Sequence, residues 1–291
     1  GHVGLPLSLL LAQAGFDIMI IDSDVRKLET ISAGQFPFLD EGGPELLQSC
    51  LAKFPHRLRL TSECAGMEAC DAVIVTIGTP VDGHLNPDFS VIEACIEGIA
   101  PFLRSGQTLV LRSTLFPGTS ARVLSLLEAK GLKVGVSFCP ERIAQGHAFQ
   151  ELTQLPQIVS GSGALALAHA EALFSSLGID RVELELHEAE VAKLFLNSWR
   201  YVAFGTANQF YQIASSKGLD FSRIRAAISH KYARAAGFPR PGFTAGPCLF
   251  KDTMQLAAYC RHTFSLGHAA MLVNETMPDC VLEEGRSHLR A

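Results

Sequence analysis

Cys248 closes the Gly/Pro-rich stretch "PGFTAGPC", with Lys251 and Asp252 three and four residues on. A thiol at the start of a helical segment and near a cation ionises readily, and the thiolate is a nucleophile at neutral pH. The glycines before it let a ligand approach the backbone closely. Lys193 and Asn197 form a second group, four apart in "EVAKLFLN" and flanked by apolar residues, hence on one face of a helix. A buried ammonium without a partner is costly, so either the two point together at a reacting oxygen or the lysine snorkels to solvent. The third group is Glu141 in "FCPERIAQGHA", just past a strand-like run. There a carboxylate is able to activate water and Arg142 to grip a substrate; the plainer alternative is a Glu–Arg surface pair worth little.

The opening "GHVGLPLSLLLAQAGFDIMIIDSD" offers binding rather than reaction. Gly1 and Gly4 lead into an apolar helical pattern, and Asp22 ends the next strand-like run. Such glycines admit a pyrophosphate to the backbone, the helix N-terminus favours its charge, and a strand-end carboxylate accepts ribose hydroxyls. The same carboxylate repels a 2′-phosphate, which favours NAD over NADP. A complete G-x-G-x-x-G unit would place a strand and one more glycine ahead of Gly1. Two further loops follow strand-like runs: "TIGTP", with Thr79 and Pro80, and "RSTLFPGT", with Thr114. Hydroxyls and tight turns at that sheet edge suit a sugar–phosphate ligand, and turn and capping chemistry explains them equally well.

The elements that must carry these groups alternate. Strand-length apolar runs at 16–22, 71–78, 107–113, 132–138, 157–161 and 181–186 are separated by helical patterns at 5–14, 24–33, 89–103, 119–130 and 164–177. This implies an α/β fold with a mainly parallel, Rossmann-like sheet, whose ligands bind beyond the carboxyl ends of the strands. From His187 the pattern becomes one long helix stopped by Lys217 and Gly218, then a helix over 220–236, the Gly/Pro-rich loop and further helices. Two domains follow, 1–186 and 187–291. The basic "HRLR" at 56–59 is expected to be a solvated edge.

Composition narrows the class. With 48% hydrophobic and 18% charged residues and a net charge of −5, the chain is globular, and its scattered basic residues do not form a nucleic-acid groove. No apolar run is long enough to span a membrane. The eight cysteines show no C-x-x-C pair and no disulfide spacing, and the ten histidines are dispersed; a reducing cytoplasm and no metal site are the expectations. The cysteines other than Cys248 are expected to be small core residues.

Together, "GHVGLPL", "TIGTPVDGHLNPDFS", "RSTLFPGTS", "CPERIAQGHA" with "EVAKLFLNSW", and "GFTAGPCLFKD" resemble, in order and over nearly the whole chain, the UDP-glucose/GDP-mannose dehydrogenase family. The resemblance implies an NAD-binding Rossmann domain, a central helical dimerisation region forming a homodimer, and a following UDP-binding domain. It implies two NAD-dependent oxidations that take the C6 alcohol of a nucleotide sugar to a carboxylate. It casts Cys248 as nucleophile, Lys193 and Asn197 as oxyanion stabilisers, Asp252 as helper of the lysine or of a water, and Glu141, with Thr114, in thioester hydrolysis. Gly1, Val3, Gly4, Asp22, Thr79, Pro80 and Thr114 would hold NAD; Glu141, Arg142, Lys193, Asn197 and Gly246 would hold the sugar. "AGPC" departs from the family's usual GG-x-C, and Phe250 stands where many members have proline. "PERIAQG" is closer to the branch acting on UDP-N-acetylhexosamines of the mannosamine or glucosamine type. The absent first strand and UDP-binding domain imply a fragment, inactive alone, whose sheet is interrupted. Two other classes stay open: a β-hydroxyacid dehydrogenase, which also pairs a Rossmann domain with Lys-x-x-x-Asn, and a non-catalytic dimerisation or binding module.

Overall fold

The computed structural model describes residues 1–79, 81–82, 87–144, 146–244 and 247–290. They form two compact units: Gly1–Thr79 with Phe89–Glu190, and Pro80–Asp88 with Val191–Ala291.

The first unit runs α1 (Gly4–Gln13), β1 (Ile18–Ile21), α2 (Val25–Ser32), α3 (Gly43–Lys53), β2 (Leu58–Thr61), β3 (Ala72–Val75), α4 (Ser90–Ile99), β4 (Thr108–Leu111), α5 (Thr119–Ala129), β5 (Gly135–Phe138), α6 (Ala148–Gln154), β6 (Gln157–Val159), α7 (Ala164–Ser175) and β7 (Arg181–Glu183). Every strand pair is parallel: β1 with β2, β3 with β4, β4 with β5, and β6 with β7. The strand–helix alternation read from the sequence is thus a Rossmann-like sheet. Its centre is β4, whose four residues are all buried because helices cover both faces. Leu109 and Leu111 pack with Ile92, Ile96, Val123 and Leu127 on one side, while Val110 packs with Leu7, Leu11 and Phe174 on the other.

The ladder is interrupted between β1 and β3 among the described residues. Between β5 and β6, serines replace a regular ladder. The Ser160 hydroxyl donates to the Phe138 carbonyl at 2.7 Å and accepts its N–H, and Ser162 pairs with Val136 through backbone and side chain. Both hydroxyls therefore satisfy backbone groups that burial would otherwise leave unpaired.

Three sequence expectations need correction. "HRLR" is not merely a solvated edge: Leu58–Thr61 is β2, in register with Ile18–Ile21, with Leu58 buried and Arg59 exposed. The helix expected over 220–236 ends at Ser229, and Lys231 takes a positive φ of 51° beyond it. Of the seven cysteines assigned to cores, Cys50 and Cys139 are buried and Cys64 and Cys95 pack half-buried against a core, whereas Cys70, Cys260 and Cys280 belong to no core cluster.

The second unit is carried by α8 (Leu186–Ser215), which starts in the first unit, followed by α9 (Phe221–Ser229), α10 (Pro247–Tyr259), α11 (Ser265–Glu275) and α12 (Met277–Arg290). At 30 residues, α8 is about 45 Å long. It is tied to its neighbours by polar contacts: Tyr201 donates to Glu275 at 2.7 Å, and Asn274 donates to the Tyr201 carbonyl at 3.0 Å. Tyr211 and Ser215 both donate to Glu284. Gly205 lets α11 come close, since a Cβ there would lie 3.1 Å from Ala270.

Candidate functional site

Each unit gathers part of the groups singled out in the sequence. In the first unit, no side chain caps the N-terminus of α1; Leu5 N–H donates instead to the Gly1 carbonyl at 3.2 Å and Leu7 N–H to the Val3 carbonyl at 3.4 Å. A Cβ on Gly1 would meet nothing within 4 Å, whereas one on Gly4 would lie 2.9 Å from Thr76 Oγ1. Gly4 thus permits α1 to pack closely against the end of β3, as expected of a glycine in a dinucleotide-binding turn. Val3, between Gly1 and Gly4, is the N-cap residue. Asp22 follows β1; its Oδ1 accepts the Asp24 N–H at 2.9 Å, which orients the carboxylate in the turn. The close packing at Gly4 and the oriented acid Asp22 fit a dinucleotide.

Thr79 donates to the Thr114 carbonyl at 2.6 Å, and Ser113 donates to the Ile77 carbonyl. The two hydroxyl-bearing loops are therefore fastened together. Pro80 and Gly246 lie outside the described residues. Glu190, buried at the first unit's end of α8, accepts from the N–H groups of Gly118 and Ser120 at 2.6 and 2.7 Å. It caps α5, whose own N-cap, Gly118, has no side chain to do so.

Glu141 has a different partner from the neighbour suggested by sequence. Its Oε2 pairs with Arg112, and its Oε1 accepts the N–H groups of Arg142 and Ile143 at 2.6 and 2.9 Å. Arg112 is wholly buried, and burial pulls its guanidinium down to about 10, still charged at neutral pH. Arg142 contributes its backbone here, while its Nη2 is buried without a hydrogen-bond partner among the described residues.

In the second unit, Lys193 and Asn197 are 9% and 4% exposed, so the lysine does not snorkel. Asn197 donates to Asp252 Oδ2 at 2.5 Å, and Asp252 is fully buried on α10. Lys251 Nζ lies 3.0 Å from Asp252 Oδ1; that oxygen has no aligned hydrogen bond among the described residues, so the contact is an ion pair. Burial lowers the pKa of Lys193, Asp252 and Cys248 push it back up, and Arg200 and Lys251 lower it further. Among the described residues Lys193 has neither a hydrogen bond nor an ion pair of its own. Cys248 is exposed at the second position of α10, one helical turn before Asp252. Helix geometry thus brings together thiol, carboxylate, amide and ammonium.

Sequence reasoning missed Asn208, eleven residues beyond Asn197 and so on nearly the same face of α8. Its side chain donates to the Gly242 carbonyl at 3.0 Å and accepts the Gly242 N–H at 2.8 Å, tethering the loop that leads to Cys248. Arg225 holds the same loop at the Phe238 and Pro239 carbonyls. A second asparagine inside an apolar helix was the available signal. Among the described residues no group of His, Cys, Asp and Glu could hold a metal, and no helix is long and apolar enough to cross a membrane.

Residues 1–177 match the UDP-glucose/GDP-mannose dehydrogenase family, NAD binding domain, and residues 187–276 match the same family's central domain. The chain belongs to this family. The expectation of an NAD-dependent nucleotide-sugar dehydrogenase holds at that level. A UDP-N-acetyl-D-mannosamine dehydrogenase from Pyrococcus horikoshii is 29% identical over 96% of this chain and 67% of its own length. An NDP-N-acetyl-D-galactosaminuronic acid dehydrogenase from Ralstonia nicotianae is 26% identical over 100% of this chain and 70% of its own. The solved Pyrococcus horikoshii enzyme superposes with a TM-score of 0.88 at 28% identity, covering 96% of this chain and 67% of that one. The chain thus spans about two thirds of the length of these relatives.

Proposed function

We propose that this chain carries the oxidising part of a UDP-N-acetylhexosamine 6-dehydrogenase, which converts a C6 alcohol to a carboxylate through a thioester on Cys248. The observation that carries the proposal is the grouping of the exposed Cys248 with Asp252, Asn197 and the buried Lys193. NAD, when bound, accepts a hydride in each of two oxidations. Gly1, Val3, Gly4, Asp22, Thr79, Pro80 and Thr114 are the residues proposed to hold it.

Oxidation of an aldehyde by hydride loss requires a tetrahedral carbon bearing an oxygen. The Cys248 thiolate adds to the aldehyde carbon, and the carbonyl electrons move to oxygen as an oxyanion. Lys193 and Asn197 stabilise that oxyanion in a site with little water to screen them. Asp252 orients Asn197 and offsets only part of the cost of burying Lys193. Hydride loss from the resulting thiohemiacetal leaves the thioester. Water then adds to its carbonyl, the C–S bond breaks, and the carboxylate and free thiol are released, with Glu141 and Thr114 orienting the water. Arg142 and Gly246 complete the proposed sugar contacts.

The N-acetylated substrate is supported by "PERIAQG" and by the amino-sugar names of the relatives. The second unit also exposes Phe195, Trp199, Phe210 and Ile213 along α8, with Trp199 70% exposed. A stripe of this kind suits a homodimer through the central helices. Cys248→Ala in the intact enzyme, assayed with UDP-sugars, is expected to end four-electron oxidation. Full retention would contradict the proposal and point to the β-hydroxyacid type, which needs no cysteine.

A further inference from the structure

We propose that Arg112 and Gln157 are positioning residues that clamp the turn 139–143 and hold the Glu141 carboxylate in one orientation for thioester hydrolysis. The inference rests on the role proposed for Glu141. Arg112 leaves the carboxyl end of β4 wholly buried, its guanidinium 4.9 Å from the centre of the Phe174 ring. One nitrogen donates to the Cys139 carbonyl at 3.3 Å and to Gln157 Oε1 at 3.1 Å; the other pairs with Glu141. Gln157, itself buried, donates to the Pro140 carbonyl at 3.1 Å. Three consecutive residues, 139, 140 and 141, are thus each held by one of two buried side chains from β4 and β6.

The clamp fixes what chain connectivity leaves free. A glutamate after a strand end has three rotatable side-chain bonds, and a small misplacement of a catalytic group costs about 100-fold in rate. Here Arg112 and two backbone N–H groups occupy both carboxylate oxygens, so the direction of the remaining lone pairs is set by the fold. Arg142 and Glu151 also line the space beside Glu141. Glu151 is engaged by the Ala144 N–H, so Arg112 is the cation that orients Glu141.

The test is rapid quench of the intact enzyme with UDP-sugar and NAD, followed by mass measurement of the Cys248 peptide. Arg112→Gln is expected to slow release of the acid about 10–100-fold, so that an acyl adduct accumulates on Cys248 while KM for sugar and NAD stays within about 2-fold. Arg112→Lys restores most of the release rate. Gln157→Leu, which leaves the ion pair in place, shows the same accumulation to a smaller extent and serves if Arg112→Gln does not fold. Glu141→Gln is the control. If it accumulates adduct while Arg112→Gln and Gln157→Leu do not, the clamp is overturned. If Glu141→Gln itself releases acid normally, the role assigned to Glu141 fails instead.

Discussion

The two units each bury a positive side chain, and they treat it in opposite ways. Arg112 has a carboxylate, an amide oxygen and a backbone carbonyl around its guanidinium. Lys193 is almost as buried, yet Asp252 spends its contacts on Asn197 and Lys251. A buried charge with three partners around it holds a structure together, even though Arg112 Nε is left without a hydrogen bond among the described residues. One left short of partners costs stability, and a negative group on a ligand can repay that cost. The first arrangement reads as scaffold, the second as a place prepared for an oxyanion.

Changes to this contrast should differ in size and in sign. The largest effect is expected for Cys248→Ala, which removes the group the lysine serves: formation of the sugar acid should fall by at least ~10³-fold in a coupled NADH assay. Lys193→Met should lower kcat by about 10²–10³-fold and yet raise Tm by about 2–4 °C, the equivalent of ~1 kcal/mol in a protein of this size. Arg112→Met should lower Tm by about 10 °C, because breaking a buried ion pair costs about 3–5 kcal/mol. Calorimetry of the two variants side by side gives both signs.

The same contrast has a pH signature. The folded state holds the Lys193 pKa below its ordinary value of 10.5. Between the lowered value and 10.5 the unfolded chain therefore binds more protons, and stability rises with pH through that window. Lys193→Met should flatten this rise in urea titrations across alkaline pH, and an unchanged slope would mean that the lysine is not held uncompensated. Smaller effects are expected at the edges of the two units. Asp22→Asn should raise KM for NAD about 10-fold and narrow the preference over NADP, since a charged acceptor for ribose hydroxyls is lost. Trp199→Glu should dissociate the proposed homodimer in sedimentation velocity without changing the fold by circular dichroism.

Lys193, Asn197, Asp252 and Cys248 were legible in the sequence because their spacing places them on helix faces, and a helix carries such spacing directly into space. The opening turn was legible for the same reason, since Gly4 starts α1, Gly1 lies three residues before it and Asp22 directly follows β1. The partner of Glu141 was not. Arg142 is adjacent in sequence, but the pairing with Arg112 depends on β4 and β5 lying side by side. Sheet neighbours of this kind leave no local trace. Strand β2 and helix α3 escaped for a related reason. β2 is four residues long and interleaves Leu58 and Leu60 with Arg59 and Thr61. Helix α3 opens on Gly43 and Pro44, residues that read as a turn although proline is well suited to a first helical turn.

Cys248 is proposed to become covalently acylated during turnover. Acid quench of the intact Glu141→Gln enzyme with UDP-N-acetylmannosamine and NAD, followed by mass spectrometry of the Cys248 peptide, tests it most directly. A mass gain equal to the sugar acid nucleotide less one water is expected, removed by hydroxylamine and absent from Cys248→Ser. Steady formation of the sugar acid by the Cys248→Ser enzyme, with no adduct at Cys248 in any variant, would contradict it.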